Sequence, residues 1–261
     1  MYQHLIYEQQ GEIDVVILNR PDTANAFTQE MLDEVAAVFT QIERDSPARA
    51  VILKAAGKLF SGGGDIKMFR DLLAAKAPLP VELVLGTGRM ALAVRRCKKP
   101  VVAVVQGAAA GAGFGLAMAC DYRILSESAK LVPAFNGIGL SGDTGLMYFL
   151  GKNLGPARTY ELMTLKTALS AQEAKDLGLA TEVVPDDALE AQGKAFTEKL
   201  LHKPTRILER QKALLNAYFY SELETFNQEE AVAMHLSSKE ADFAEAVSAF
   251  LDKRPAKFSG R

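Results

Sequence analysis

Apolar residues in the first half of the chain occur in short runs that alternate with stretches of helical spacing. The β-branched runs at 14–19 and 50–56 are bounded by turn residues and predict two strands. Between them, residues 28–44 repeat apolar side chains at the spacing of one helix face, namely Met31, Leu32, Val35, Val38, Phe39 and Ile42. The pattern therefore predicts a strand, a helix and a second strand in this order.

The same alternation continues towards the middle of the chain. A helical stretch at 81–97 leads into the run 101–107, which is too short and too rich in β-branched residues for a helix. A short helix at 113–119 and strands at 121–126 and 130–135 are predicted to follow. Strands that alternate with helices indicate an α/β domain.

After about residue 150 the pattern becomes almost entirely helical. One strand, "ATEVVP" at 180–185, interrupts predicted helices at 156–165, 170–177, 187–201, 205–217, 222–236 and 238–251. Ser170 and Glu173 have the spacing of a capping box that starts one of these helices. Segment 77–80 is predicted to be a mobile insertion suited to a lid, and the ending 252–261 an exposed tail or a docking segment.

The composition is that of a globular protein with nearly balanced charge. Hydrophobic residues make up 49% of the 261, enough for a sizeable core. Thirty basic and 32 acidic residues give a net charge of −2, which disfavours a dedicated nucleic-acid binder. Cys97 and Cys120 have no disulfide-framework or metal-ligand spacing, and neither a signal peptide nor an apolar stretch of about 18 residues is evident. We expect a cytoplasmic protein that binds neither nucleic acid nor membrane.

The first candidate for chemistry is the loop "FSGGGDIK" at 60–67. Gly62, Gly63 and Gly64 permit positive φ and the close approach of another group, and Asp65 can cap a helix that begins near Ile66. Backbone N–H groups at a helix start suit an anion or a developing oxyanion. A flexible turn is an equally good interpretation of these residues taken alone.

The second candidate is "QGAAAGAGFGLAMACD" at 106–121, where a predicted buried strand runs through small residues into a helix. This loop also offers backbone N–H groups. A dinucleotide-binding fingerprint is excluded by its spacing, because Leu116 and Met118 stand where the last glycine or alanine is required. The phosphate-binding P-loop motif is also absent from the sequence.

The third candidate is "AFNGIGLSGDTG" at 134–145, which holds one acid, Asp143, among small and apolar residues. Asp143 can serve as a general base, but an aspartate that caps the following helix is slightly favoured by the sequence alone. Ser141 is not in a nucleophile elbow, because Asp143 occupies the position of the required second glycine. The histidines and cysteines show no metal-ligand spacing, so no metal site is predicted.

These three loops, in this order, resemble those of the crotonase (enoyl-CoA hydratase/isomerase) superfamily, as do "ILNRPDTANAFTQEM" at 17–31 and "AFLDKRPAKFSGR" at 249–261. The resemblance implies a core of ββα turns wound into a spiral, which we place at residues 1–195. It also implies a C-terminal helical region, at 196–261, that forms trimers or dimers of trimers and closes the active site. The implied substrate is an acyl-CoA thioester, so coenzyme A arrives with the substrate and no cofactor is permanently bound.

The resemblance also assigns roles to individual residues. The backbone N–H groups of Gly64 and Ala112 match the two that bind the thioester oxygen in the family. The implied pocket for adenine and pantetheine comprises Ala24, Ala26, Gly62, Gly63, Asp65 and Ile66. Asp143 matches the catalytic aspartate of dienoyl-CoA isomerases and of the ring-modified epoxide isomerases of phenylacetate breakdown.

Two departures from the family pattern decide the predicted activity. Hydratases of the family carry a glutamate at each of two positions that are Gly115 and Phe135 here. Because both glutamates are absent, we predict an isomerase in which Asp143 alone moves the proton. Phe135 is expected to keep the pocket dry and to raise the pKa of Asp143. The alternatives are other enolate chemistry on an acyl-CoA, such as weak hydration, thioester hydrolysis, C–C cleavage or ring-modified isomerisation, and an acyl-CoA-binding module without strong catalysis.

Overall fold

The computed structural model describes residues 2–261, which contain nine strands and eleven α-helices. The strands are β1 Leu5–Gln10, β2 Ile13–Leu18, β3 Ala50–Ala55, β4 Val101–Val105, β5 Ala108–Ala110, β6 Tyr122–Ser126, β7 Lys130–Val132, β8 Leu169–Ser170 and β9 Glu182–Val184. The helices are α1 Gln29–Asp45, α2 Ile66–Ala74, α3 Val81–Arg96, α4 Ala112–Ala119, α5 Leu146–Leu154, α6 Pro156–Leu165, α7 Ala171–Asp176, α8 Leu189–Leu201, α9 Thr205–Phe219, α10 Leu223–Ser237 and α11 Ala241–Leu251.

The strands form one sheet of six and one of three. The larger has the order β1-β2-β3-β4-β6-β9, with β1 antiparallel to β2 and all other pairs parallel. The smaller has the order β5-β7-β8. All five residues of β4 are buried, as expected for a parallel strand covered on both faces.

The chain repeats one order of secondary-structure elements. A strand of the larger sheet is followed by a short extended segment and then by a helix, as in β4, β5 and α4. The same order relates β3, the extended residue Ser61 and α2, and Ser61 forms a parallel bridge with Ala109 of β5. The predicted α/β fold of ββα turns with a C-terminal helical region is confirmed.

Two hydrophobic clusters hold the larger sheet between helices. The main cluster includes Val35 and Phe39 of α1 and Met90 of α3, all fully buried. A second cluster on the other face joins Ile52 and Val104 of the sheet to Leu189 of α8. Since both faces are covered, the loops at the strand ends are set on a rigid base.

The helix boundaries follow local signals closely. Thr28 is the N-cap of α1 and accepts a hydrogen bond from the Met31 N–H, and Ser170 and Glu173 form the expected capping box of α7. The strand predicted at 130–135 ends at Val132, because Pro133 has no N–H and Ala134 adopts a positive φ of 60°. The sequence pattern missed β1, in which four of the six residues are exposed and the last three are polar.

The C-terminal helices pack against the core. Asn227 of α10 donates to the Gly88 carbonyl oxygen of α3, and Phe243 of α11 contacts Phe69 of α2 edge-on at 5.7 Å. The predicted division at residue 195 falls inside α8, which covers the larger sheet. The boundary between residues 195 and 196 therefore stays a prediction.

Segment 77–80 is anchored, contrary to the expectation of a mobile lid. Leu79 is buried, its N–H donates to Ser238 Oγ at 2.8 Å, and its carbonyl oxygen lies 2.8 Å from His235 Nδ1. The ending docks on α11, because the Asp242 carboxylate accepts the N–H groups of Ser259 and Gly260. Among the helices of residues 2–261, none is long and apolar enough to span a membrane.

One buried ion cluster connects the core to the C-terminal helices. The Asp121 carboxylate accepts from Arg95 Nη2 of α3 at 2.7 Å, from Lys212 Nζ of α9 at 2.6 Å, and from the Val101 N–H at 2.8 Å. Both cationic side chains are at most 8% exposed. Removal of the carboxylate would leave two buried cations without compensation.

We expect Asp121→Ala to lower the free energy of unfolding by about 3–5 kcal/mol, the usual loss when a buried ion pair is broken on one side. Urea denaturation followed by circular dichroism measures the change. Asp45→Ala is the matched control, because Asp45 pairs with Arg44 on the exposed end of α1, and little change is expected there. Equal effects of the two substitutions would show that the cluster is unimportant for stability.

Candidate active site

A cavity of about 550 Å³ lies where the three loops meet the C-terminal helices. Its walls include glycines from the first two loops, Phe135 and Asp143 from the third, Met234 of α10, and Phe250 and Phe258 near the C-terminus. The walls are mostly apolar. Asp143 is the one acidic side chain that lines it among residues 2–261.

Backbone pairing joins the first loop to the second. The Ser61 N–H donates to the Ala108 carbonyl oxygen at 3.1 Å, and the Ala110 N–H donates to the Ser61 carbonyl oxygen at 2.9 Å. The Ser61 hydroxyl donates to the Asn25 carbonyl oxygen and accepts the Gly63 N–H. Both glycine-rich loops are therefore fixed in one register, side by side.

The two N–H groups predicted to bind an oxyanion are Gly64 and Ala112. Neither donates a hydrogen bond to another group within residues 2–261. Gly64 lines the cavity, whereas Ala112 does not, although Gly111 directly before it does. Ala112 is the first residue of α4, whose eight residues are all buried, so the partial positive charge of this helix start is little screened by water.

The glycines of the first loop have separate reasons to be glycine. Gly63 has a φ of +85°, and a Cβ there would lie 2.7 Å from the Ala110 carbonyl oxygen and 3.6 Å from the Ala112 nitrogen. A Cβ on Gly64 would lie 2.6 Å from the Phe69 ring. The loops therefore approach each other more closely than any side chain would allow.

Asp143 lies in a strained turn at the wall of the cavity. Gly142 and Thr144 on either side have φ values of +124° and +62°, and the latter is uncommon for a β-branched residue. Helix α5 begins at Leu146 and has no side-chain cap. The interpretation of Asp143 as a helix cap is therefore wrong.

The electrostatics of Asp143 follow from its burial. It is 7% exposed, and loss of solvent raises the pKa of its carboxyl group to about 6. The Thr144 hydroxyl donates to Asp143 Oδ1 at 2.7 Å and opposes this shift. Oδ2 makes no hydrogen bond within residues 2–261, so one carboxylate oxygen is available to a bound molecule.

The positions of the two missing glutamates are filled by other groups. A Cβ on Gly115 would lie 2.7 Å from the Thr144 Cβ, so Thr144 occupies the space of a side chain at 115. The Phe135 ring is buried and lies between the second and third loops, 3.5 Å and 3.8 Å from the Cβ positions of Gly111 and Gly142. This wall has no further carboxyl group.

The residues predicted to contact coenzyme A are only partly brought to the cavity. Gly62, Gly63 and Ile66 line it, whereas Ala24, Ala26 and Asp65 do not. The Ala24 carbonyl oxygen accepts the Gly62 N–H at 2.7 Å, and the Asp65 carboxylate caps α2 through the Lys67 N–H. Contact of Ala24, Ala26 and Asp65 with a ligand stays a prediction.

Comparison with known proteins gives one consistent result. The family described as enoyl-CoA hydratase/isomerase matches residues 8–261. A 1,2-epoxyphenylacetyl-CoA isomerase of Escherichia coli is 32% identical over the whole length of both chains, and a probable enoyl-CoA hydratase of Rhodobacter capsulatus is 34% identical over 100% of this chain and 99% of that one. The chain belongs to the enoyl-CoA hydratase/isomerase family.

A solved structure extends this likeness to the fold. The crystal structure of an enoyl-CoA hydratase from Mycobacterium avium subsp. paratuberculosis has a TM-score of 0.90, with 31% identity over 99% of this chain and 100% of that one. The crotonase resemblance found in the three loops is thereby confirmed as family membership.

In this member of the enoyl-CoA hydratase/isomerase family, a second buried acid next to the Asp143 turn was not anticipated from the sequence. Glu230 of α10 is 4% exposed and accepts the Gly145 N–H at 2.8 Å through Oε2. The sequence does contain a signal, because one helical stripe places two polar residues between two apolar ones, in the order Leu223, Asn227, Glu230 and Met234. The aromatic side chains Phe250 and Phe258 at the cavity were also not anticipated.

The cysteines of this family member behave as core residues. Burial raises the pKa of Cys97 to about 11 and that of Cys120 to about 12, so both thiols are poor nucleophiles at neutral pH. Within residues 2–261, no three histidine, cysteine, aspartate or glutamate side chains cluster as metal ligands would.

We expect Thr144→Val to raise the pKa of Asp143 above its value of about 6. The substitution keeps the shape of the side chain but removes the donor that stabilises the carboxylate. A hydrogen bond to a charged group contributes about 1.5–3 kcal/mol, which corresponds to roughly one to two pKa units. A pH titration of ¹³C-labelled aspartate carboxyls by NMR measures the change.

Thr159→Val is the control, because the buried Thr159 hydroxyl donates to the Gly155 carbonyl oxygen within α6. This variant should leave the pKa of Asp143 unchanged. An unchanged pKa in Thr144→Val would show that burial alone sets the ionisation of Asp143.

Proposed function

We propose that the protein is an acyl-CoA double-bond isomerase, which moves a double bond by a 1,3-proton shift through a thioester enolate. The observation that carries the proposal is a single acidic side chain, Asp143, in a cavity that Gly64 and Gly111 also line, together with the unpartnered N–H groups of Gly64 and Ala112. These groups supply the two requirements of the reaction, an oxyanion site and one base of suitable pKa.

In this mechanism the thioester oxygen lies between the N–H groups of Gly64 and Ala112. Removal of a proton from C2 places negative charge on that oxygen. Because the loops are already paired through Ser61, the two donors need no reorganisation as the charge develops. Loss of one such donor in other enzymes costs about 2.7–4 kcal/mol of barrier.

Asp143 carries out both proton transfers. Above its pKa of about 6 it is ionised, and its free oxygen takes the proton from C2 while the C–H electrons move into the enolate. The same carboxyl group then returns the proton to C4, so that the double bond ends between C2 and C3. One acid suffices because the proton that is removed is the proton that is returned.

The surroundings of Asp143 favour isomerisation over hydration. Hydration needs a water molecule held and activated on the substrate, which the family's hydratases achieve with two glutamates. Here Thr144 fills the space next to Gly115, the first of the two glutamate positions, and Phe135 itself occupies the second. An apolar wall of this kind excludes water and protects the enolate from attack.

The names of the relatives include both an isomerase and a hydratase, and both reactions are enolate chemistry on an acyl-CoA. The Escherichia coli relative is named an isomerase, and the Rhodobacter capsulatus relative a probable hydratase. Hydration and other enolate reactions on an acyl-CoA are therefore the alternatives within the family. An acyl-CoA-binding module without catalysis is disfavoured by the buried acid, which would be costly to retain without use.

We propose a hydrophobic acyl group for the substrate. The cavity is lined by Phe69, Phe135, Met163 and Leu140, and its mouth by Phe250 and Phe258, which are 62% and 51% exposed. Coenzyme A would arrive with the acyl group rather than as a resident cofactor. The cytoplasmic location and the absence of nucleic-acid and membrane partners stay predictions.

We also propose that copies of the chain associate as the family resemblance implies, in trimers or dimers of trimers. The outer face of α9 leaves Leu214 and Tyr218 71% and 85% exposed, which is unusual for large apolar side chains in a monomer. The C-terminal helices would then serve both association and closure of the cavity.

We expect Asp143→Asn to lower the turnover of a 3-enoyl-CoA by roughly 10²–10⁴-fold, the contribution typical of a general base. In the wild type the rate should fall as the pH drops below about 6, because Asp143 becomes protonated. Formation of the conjugated 2-enoyl product is followed by its absorbance. Asp45→Asn is the control, and binding of a saturated acyl-CoA should persist in both variants.

Undiminished turnover in Asp143→Asn would remove this residue from the mechanism. Hydration of a 2-enoyl-CoA without isomerisation of the 3-enoyl form would identify a hydratase. Binding without turnover across a panel of aliphatic and aromatic acyl groups would identify a binding module.

A further inference from the structure

The buried face of α10 supports the Asp143 turn from behind. Glu230 Oε2 accepts the Gly145 N–H at 2.8 Å, and Met234 Sδ accepts the Gly142 N–H at 3.3 Å. These two N–H groups bracket Asp143 on either side. Helix α10 therefore holds the turn at both ends, through one carboxyl group and one thioether.

Two oxygen atoms on this face have no hydrogen-bond partner. They are Glu230 Oε1 and Asn227 Oδ1, both buried and both on residues that contact the turn at Gly145. Their residues stand three positions apart on α10, which places them on the same face. Two buried acceptors without a donor are costly, and protonation of Glu230 Oε1 would turn one of them into a donor.

Asp143 is the charged group that acts electrostatically on Glu230. The arginines of α3 form ion pairs elsewhere: Arg89 with Glu82 and Asp33, Arg95 with Asp121, and Arg96 with Glu224. On α5, Tyr148 donates to the Phe219 carbonyl oxygen, and Lys152 lies over the Tyr148 ring. On α10 itself, His235 bonds the Leu79 carbonyl oxygen and Glu229 is exposed. No cation compensates Glu230 within residues 2–261.

Burial and the neighbouring acid act on Glu230 in the same direction. Loss of solvent is the larger cause and the charge of Asp143 the second, and together they raise the pKa of Glu230 to about 8. The Gly145 N–H opposes the shift only in part. At neutral pH the pair therefore holds one negative charge, on Asp143, and one proton, on Glu230.

We propose that Glu230 is a positioning residue of the reaction, which holds the Asp143 turn while it is neutral and sets the upper pH limit of catalysis when it ionises. The inference rests on the proposed isomerase function. An ionised Glu230 would place a second negative charge behind the turn, where it opposes the negative charge of the enolate. It would also leave two buried acceptors without a donor.

The pH–rate profile of the wild type should then have two limbs. The acidic limb lies near pH 6, from Asp143, and the alkaline limb near pH 8, from Glu230. At pH 9 the rate should be lower than the plateau by roughly tenfold, since only about a tenth of Glu230 remains protonated. Glu230→Gln keeps the neutral state at every pH, so the alkaline limb should disappear while the acidic limb remains.

A second measurement does not depend on turnover. Because the folded pKa of Glu230 lies above its unfolded value, the folded state binds an extra proton between about pH 4.5 and 8, and wild-type stability falls over this range. Glu230→Gln lacks this loss. The difference in Tm between Glu230→Gln and wild type should therefore increase from pH 5 to pH 8 and then level off.

Glu229→Gln is the matched control, one position away and exposed to solvent. It should change neither the pH–rate profile nor the pH dependence of Tm. If Glu230→Gln does not fold, wild-type protein labelled with ¹³C at glutamate carboxyls gives the same information, because one glutamate should titrate near pH 8.

Each outcome bears on the inference. A Tm difference that is flat with pH, or the absence of a glutamate that titrates near pH 8, would overturn it whether or not the protein is an isomerase. An alkaline limb unchanged in Glu230→Gln would show that Glu230 does not set the upper limit. If no acyl-CoA turns over at all, the proposed function fails, and the Tm series still reports the protonation of Glu230.

Discussion

The pairing of two backbone segments through Ser61 is the interaction on which the site depends. It fixes the register of both glycine-rich loops and brings their backbones so close that a Cβ on Gly63 would lie 3.6 Å from the Ala112 nitrogen. A Cβ on Gly113 would lie 2.6 Å from the Ser61 Cβ, so the close approach also requires small residues in α4. The glycine content of both loops follows from this one contact, because side chains would force the backbones apart.

The second constraint is the low polarity around Asp143. Burial raises its pKa to about 6, the apolar Phe135 ring lines the cavity near it, and Thr144 fills the space next to Gly115. A carboxylate in such surroundings needs support, and it receives this from the Thr144 hydroxyl and from the backbone geometry held by α10. The acid is thus ionised near neutral pH and is a stronger base than an exposed aspartate.

Local signals in the sequence predicted most of the fold. Helices α1, α3 and α7 follow from periodicity and caps, whereas the roles of Gly64, Ala112 and Asp143 rest on the family resemblance and stay predictions; of these three, Gly64 and Asp143 line the cavity. The part that the sequence did not predict depends on tertiary contacts. Glu230 stands 87 positions after Asp143 in the chain, and only the packing of α10 makes it a neighbour.

The most direct test of the account follows the proton itself. A 3-enoyl-CoA labelled with deuterium at C2 would be converted in ordinary water and the product examined by NMR. A single carboxyl group in a dry cavity should carry a measurable part of the label from C2 to C4. Complete loss of the label to solvent, or a hydroxyl group in the product, would contradict a proton shuttle by Asp143 alone.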